Sequence, residues 1–348
     1  MDTTLALGMS DGWVIVLDAE TFAVMWSTQA CSILSRVTVK MSADGTLIAT
    51  VGSGLFEECT IFNAMNGEVK RTIVHETTQT MGMHDLVVFG VSGVAFSPSG
   101  EKLVTQNVDS SVIVSDTATG DDKIYMQGQY GVPNGVTFNA DGTRVLSCVN
   151  GWIQIFDAMT GAFVQQIMVE NYFATSVSAS PVANDMVAIT NERDEEIYIC
   201  DIEEGLVIRN IGINGDYTMF AAFSTCGQTI ATQGIWTSEV KLVDVVTGDV
   251  KMRLIGHTRQ VLMASWCPYD ANKIVSVSDD GTCKVWDVST GGLLISINVN
   301  RGIESVTWGC NWVAASLAFA MGHHPRLGVE SRVLALDFGV IRIIQDFL

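Results

Sequence analysis

Apolar residues in this chain come in short runs, and each run stops at a break rich in Gly, Asn, Asp or Ser. In the last third, VLMASW is followed by CPYDANK, KIVSVS by Asp279-Asp280-Gly281, CKVWDV by Ser289-Thr290-Gly291-Gly292, and LLISINV closes the set. Runs of this length, rich in β-branched residues and bounded by turn formers, predict four antiparallel strands. The Asp-Asp-Gly break predicts a tight hairpin, because glycine tolerates the positive φ that such turns require. A single sheet of this kind cannot bury both of its faces. It has to stack on copies of itself.

The copies are present. Third strands ending in a short polar residue occur as WVIVLD at Asp18, TIFN at Asn63, VIVSD at Asp116, IQIFD at Asp157, IYICD at Asp201, VKLVD at Asp244 and KVWD at Asp287. From Asp116 onward the intervals are 41, 44, 43 and 43 residues, the period of a four-stranded propeller blade. A Gly-closed turn follows most of them, as in NAMNG, DTATG, DAMTG, DIEEG and DVVTG. A second marker (SADG, SPSG, NADG, SPVAN, STCG) falls in phase between the first and second strands.

The unit that opens with Gly256-His257 and closes with Trp286-Asp287 resembles the WD40-repeat family, and the resemblance extends over residues 1–310. Elsewhere the Trp is replaced by Leu, Phe, Ser, Cys or Val. The resemblance implies a buried, structural hydrogen-bond chain of His257, Ser276 or Ser278, Asp280 and Trp286, with Asp109 in the hairpin role of another blade. It also implies a rigid platform that docks protein or peptide partners on its loops, a monomeric propeller working within a complex.

Residues 4–28 supply three strands, and IESVTW at 303–308 supplies a lone first strand. Ring closure by that strand, with six complete units between, predicts an all-β, seven-bladed WD40 β-propeller at 1–310. Residues 311–348 form a C-terminal extension. There Leu336, Val340, Ile343, Ile344 and Phe347 recur at helical spacing, with Asp337 as N-cap. The alternation of Leu334, Leu336, Phe338 and Val340 keeps a strand, and an eighth blade, open.

Composition narrows the function. A formal net charge of −19, from 38 acidic and 19 basic residues, repels polyanions and argues against nucleic acid or anionic membrane as direct partners. Eight scattered Cys without a CxxC pair suggest buried free thiols, no zinc, and a reduced, cytoplasmic compartment. Neither a leader nor a membrane-spanning run is expected. No P-loop, GxSxG or HExxH occurs, so the chain is expected not to be an enzyme and to use no cofactor or metal. Met81, Met83 and His84, or His323 and His324, are too few for a complete metal site. Tyr172, Phe173 and Trp236 are candidate partner-binding aromatics, and NERDEE at 191–196 a solvated acidic hairpin. Two other functions stay open. A calcium-dependent propeller hydrolase would use carboxylates over the channel. A ubiquitin-ligase substrate receptor would dock through the tail, whose LDFGVIRIIQDFL end loosely resembles the first helix of an F-box, although no blade carries the Trp-Asp-x-Arg of one such receptor family.

Overall fold

The computed structural model describes residues 3–31, 36–52, 58–73, 91–107, 110–126, 133–169, 174–191, 195–213, 218–234, 236–299 and 302–310. Among them 28 strands form seven four-stranded antiparallel sheets, and there is no helix long and apolar enough to cross a membrane.

Blade 1 is Ile303–Cys310, Thr3–Met9, Trp13–Asp18 and Val24–Gln29, from the channel outward. Blade 2 is Val37–Met41, Leu47–Gly52, Cys59–Asn63 and Val69–Ile73; blade 3 is Val91–Phe96, Lys102–Asn107, Val112–Asp116 and Ile124–Met126. Blade 4 is Pro133–Phe138, Arg144–Val149, Trp152–Asp157 and Phe163–Met168; blade 5 is Ala174–Ala179, Met186–Asn191, Glu196–Asp201 and Leu206–Gly212. Blade 6 is Thr218–Phe223, Thr229–Gly234, Glu239–Asp244 and Val250–Ile255; blade 7 is Val261–Trp266, Lys273–Ser278, Thr282–Asp287 and Leu293–Asn298.

The core is divided among the seams. Seven apolar clusters each join two consecutive blades, and the one between blades 7 and 1 unites Cys267, Val275 and Val285 with Leu5, Leu7 and Trp308. Because both faces of a sheet are covered by neighbours, second strands such as Lys273–Ser278 are buried along nearly their whole length. Outer strands such as Leu206–Gly212 are mostly exposed.

Closure pairs Ile303–Cys310 antiparallel with Thr3–Met9, setting Trp308 opposite Leu5 and Val306 opposite Leu7. Ser305 then ties the closing strand to blade 2. Its Oγ donates to the Val37 carbonyl at 2.7 Å and accepts the Val39 amide at 3.1 Å. Joining the ends leaves no open edge in the ring.

The residue ending each third strand turns the chain with its own side chain. Asp244 Oδ1, for example, accepts the amides of Val246 and Thr247, both at 2.8 Å. A left-handed glycine follows in six blades, but blade 1 has Phe22 there at φ 58°. The NERDEE expectation needs one correction. Asn191 is fully buried at the end of a second strand, which is covered on both faces, and Glu196 already begins the third. The expected helical tail and Asp109 lie outside the described residues, as do residues 74–90 between blades 2 and 3.

Candidate functional site

In blade 7 four side chains from separate elements meet. Trp286 Nε1 donates to Ser276 Oγ at 2.8 Å, and Ser276 Oγ lies 2.8 Å from His257 Nε2. His257 Nδ1 lies 3.0 Å from Asp280 Oδ2, which also accepts the Thr258 amide at 2.9 Å. The carboxylate can only accept, so Nδ1 carries the proton and Nε2 accepts from the serine hydroxyl. That hydroxyl in turn accepts the indole N–H, so the chain runs in one direction from the indole to the carboxylate without a clash of donors or acceptors. Ser278 stands aside, donating to the Arg259 carbonyl at 3.1 Å and accepting the Asp280 amide at 3.1 Å.

Electrostatics follow from burial. Burial pushes His257 below its ordinary value, although the bond and charge of Asp280 oppose it. For Asp280 burial works upward, but hydrogen bonds from Thr282, Thr258 and His257 outweigh it and hold the carboxyl at about 2. A neutral imidazole with both nitrogens engaged and a fixed carboxylate make a brace for the blade.

Trp236 sits at the same end of the propeller, on the turn between the second and third strands of blade 6. It is 84% exposed and has φ 70°. Blades 1, 4 and 7 put Gly12, Gly151 and Gly281 at positive φ in the corresponding turns, where a bulky side chain is strained. The turn is clamped by Thr237. Its amide and its hydroxyl both donate to the Gly234 carbonyl, at 3.1 and 2.8 Å, while Oγ1 accepts the Gly234 amide at 3.1 Å. The Thr237 carbonyl then accepts the Val261 amide of blade 7 at 3.1 Å. Ile255, at the same end of blade 6, is 70% exposed, and Met219 is partly exposed beside Gln260. Tyr172 and Phe173, the other two candidate aromatics, lie outside the described residues, as do Met81, Met83, His84, His323 and His324.

Residues 248–287, which contain the whole brace, match the family model described as WD domain, G-beta repeat. The chain is 24% identical over 298 residues to a WD repeat-containing protein 26 homolog of Drosophila melanogaster, covering 83% of this chain and 44% of that protein. A WD repeat-containing protein 26 homolog of Arabidopsis thaliana is 26% identical over 204 residues, 57% of this chain and 34% of its own length. U3 small nucleolar RNA-associated protein 15 of Schizosaccharomyces pombe is 32% identical over 80 residues, 23% of this chain and 16% of its own.

The chain is a WD40-repeat β-propeller. It spans less than half the length of these curated relatives. Relatives of this kind suggest a protein-interaction scaffold.

On this propeller the two ends differ in charge. The end opposite Trp236 carries the strand-terminal ring of Asp18, Asp116, Asp157, Asp201, Asp244 and Asp287. It also carries Asp44, Glu68, Glu101 and Asp141 in adjoining turns. The strand-terminal carboxylates accept turn amides; the Lys251 side chain and the Thr247 amide hold Asp244 at about 2. Among the described residues no group of three or more His, Cys, Asp or Glu is arranged to hold a metal ion. What the sequence reading missed was the Trp236 turn. Its signal was present as a tryptophan in a turn that has no glycine after Gly234.

Proposed function

We propose that this WD40 propeller is a docking scaffold whose protein partner seats on the end of blades 6 and 7 that carries Trp236. The observation that supports this is a tryptophan held almost fully exposed, in a strained backbone conformation, on a turn locked by Thr237. Strain of that kind persists where the surroundings enforce it, and it clusters at binding sites. A rigid exposed aromatic contributes large contact area with little ordering cost, the property of interface anchors. Met219 on the inner strand and Ile255 on the outer strand add exposed apolar surface at the same end of blade 6.

The expected compartment is a reducing one, in keeping with free thiols at Cys31, Cys59, Cys148, Cys200, Cys267 and Cys283, all buried. Burial pushes Cys148, Cys200 and Cys283 up to about 12, so they stay protonated and unreactive.

The test is Trp236→Gly, which relieves the strained φ while deleting the ring. Quantitative capture from cell extract should lose its main partner by about tenfold or more. The melting temperature should hold or rise. Retained capture, with the melting temperature raised, would remove Trp236 from the interface.

A further inference from the structure

The central channel contains a site on the acidic end, away from Trp236. A cavity of about 380 Å³ opens there, lined by inner strands of all seven blades and flanked by Pro181, Thr225 and Pro268 of the strand-connecting turns. The strand register identifies one equivalent inner-strand position in every blade. Each lies opposite the residue two beyond the partner of the turn Asp or Asn, as Lys40 lies opposite Ala49 and Ser265 opposite Val275. The same rule selects Thr137, Ser178 and Thr307. Ala95 and Ala222 complete the ring of seven. All seven line the cavity.

This ring holds one cation, four hydroxyls and no carboxylate. Lys40 is half-buried and has no hydrogen-bond or ion-pair partner among the described residues; burial alone lowers its ammonium from the ordinary value. Three other cations on that end are paired with carboxylates of the rim. Lys102 pairs with Asp116 at 3.5 Å, Arg144 with Asp157 at 2.8 Å, and Lys251 with Asp244 at 2.6 Å. Withdrawing an ammonium from water without a partner is costly, and an oxyanion is the group that offsets it. The hydroxyls of Ser178, Ser265 and Thr307 can donate to the same group. Around the mouth, however, the acidic turns repel a free polyanion and attract cations.

We propose that the channel mouth binds a basic peptide segment carrying one compact oxyanion, the oxyanion entering the ring beside Lys40 and the basic side chains lying on the acidic rim. The oxyanion is either a phosphorylated side chain or a C-terminal carboxylate. The site is independent of the Trp236 end, so either can fail without the other.

The experiment uses the full chain and three fluorescently labelled arginine-rich peptides of one sequence. One carries an internal phosphoserine and an amidated C-terminus, one an unmodified serine and a free carboxylate, and one an unmodified serine and an amidated C-terminus. One oxyanion peptide should bind about tenfold or more tighter than the neutral control, and which one does so names the source. Lys40→Met should reduce that peptide to the level of the control, leave the control unchanged, and melt no lower than the parent protein. Ala222→Glu, which adds a carboxylate to the ring without touching the lysine, should abolish the preference too. Equal binding of the three peptides, or a preference that survives both substitutions, overturns the proposal.

Discussion

Blades 5 and 7 have the same four strands, the same Asp-led turn after the third, and the same burial along the second strand. They differ at the two positions that matter in the brace. Where blade 7 has Ser276 and Trp286, blade 5 has Ile189 and Cys200, by the register that sets Met186 against Asp201 and Lys273 against Asp287. All four side chains are completely buried. Blade 5 fills its seam with apolar contacts to blade 4. Blade 7 spends part of the same space on a polar chain with every donor and acceptor matched. The comparison teaches that a blade is made by seam burial, and that the brace is an addition which must be complete to be tolerated.

The largest break in the comparison is Trp286→Ala. It should cost about 3–5 kcal/mol, through an emptied aromatic site and an orphaned serine. Cys200→Ala at the matching position of blade 5 should cost about 1 kcal/mol. Chemical denaturation of the two variants measures both, and equal losses would refute the distinction.

Next comes Ser276→Ala, which leaves the Trp286 N–H and the His257 Nε2 without a partner at the cost of few atoms. About 2–3 kcal/mol is expected, well beyond what removing one buried hydroxyl with a single carbonyl acceptor would cost. Equilibrium unfolding of this variant beside Thr232→Ala, whose hydroxyl donates only to the Phe220 carbonyl, separates the two cases.

The smallest effect is in pH. His257 is lowered below 6.5 in the fold, so the unfolded chain binds more protons between the two values. Its contribution is intact above pH 6.5 and is lost as pH falls through that window, at up to about 1.4 kcal/mol per unit. Asp280, held at about 2, contributes above 3.8 and loses that contribution as pH falls from 3.8 toward 2. Blade 5 has no titrating group at its matching positions in this range, since Cys200 is pushed up to about 12. His257→Gln should therefore flatten the stability profile below about pH 6.5, and an unchanged profile would assign the titration elsewhere.

Much of the ring was legible because its markers are local. The strand-terminal Asp or Asn bonds amides two and three residues on, so the turn is written within five residues and repeats in phase. The lone strand at 303–308 also announced closure, because the first unit lacked a strand. Other features were not legible. Ser276 and Ser278 lie two apart on one face of a strand, and choosing between them needs to know which is level with His257 and Trp286, a matter of how the packed blade is assembled. Trp236 reads in sequence as a candidate partner-binding aromatic, but its exposure and its strained backbone are not written there. Only the clamp by Thr237 makes it exposed and rigid.

By itself, then, the sequence determined the blade, its period and the seven strand-terminal markers, because hydrophobic alternation and turn chemistry act over a few residues. The tertiary structure decided which residues from distant blades share one channel. Lys40, Thr137, Ser178, Ser265 and Thr307 are separated by up to most of the chain and carry no common motif. They meet because seven inner strands with one register point the same position at one axis.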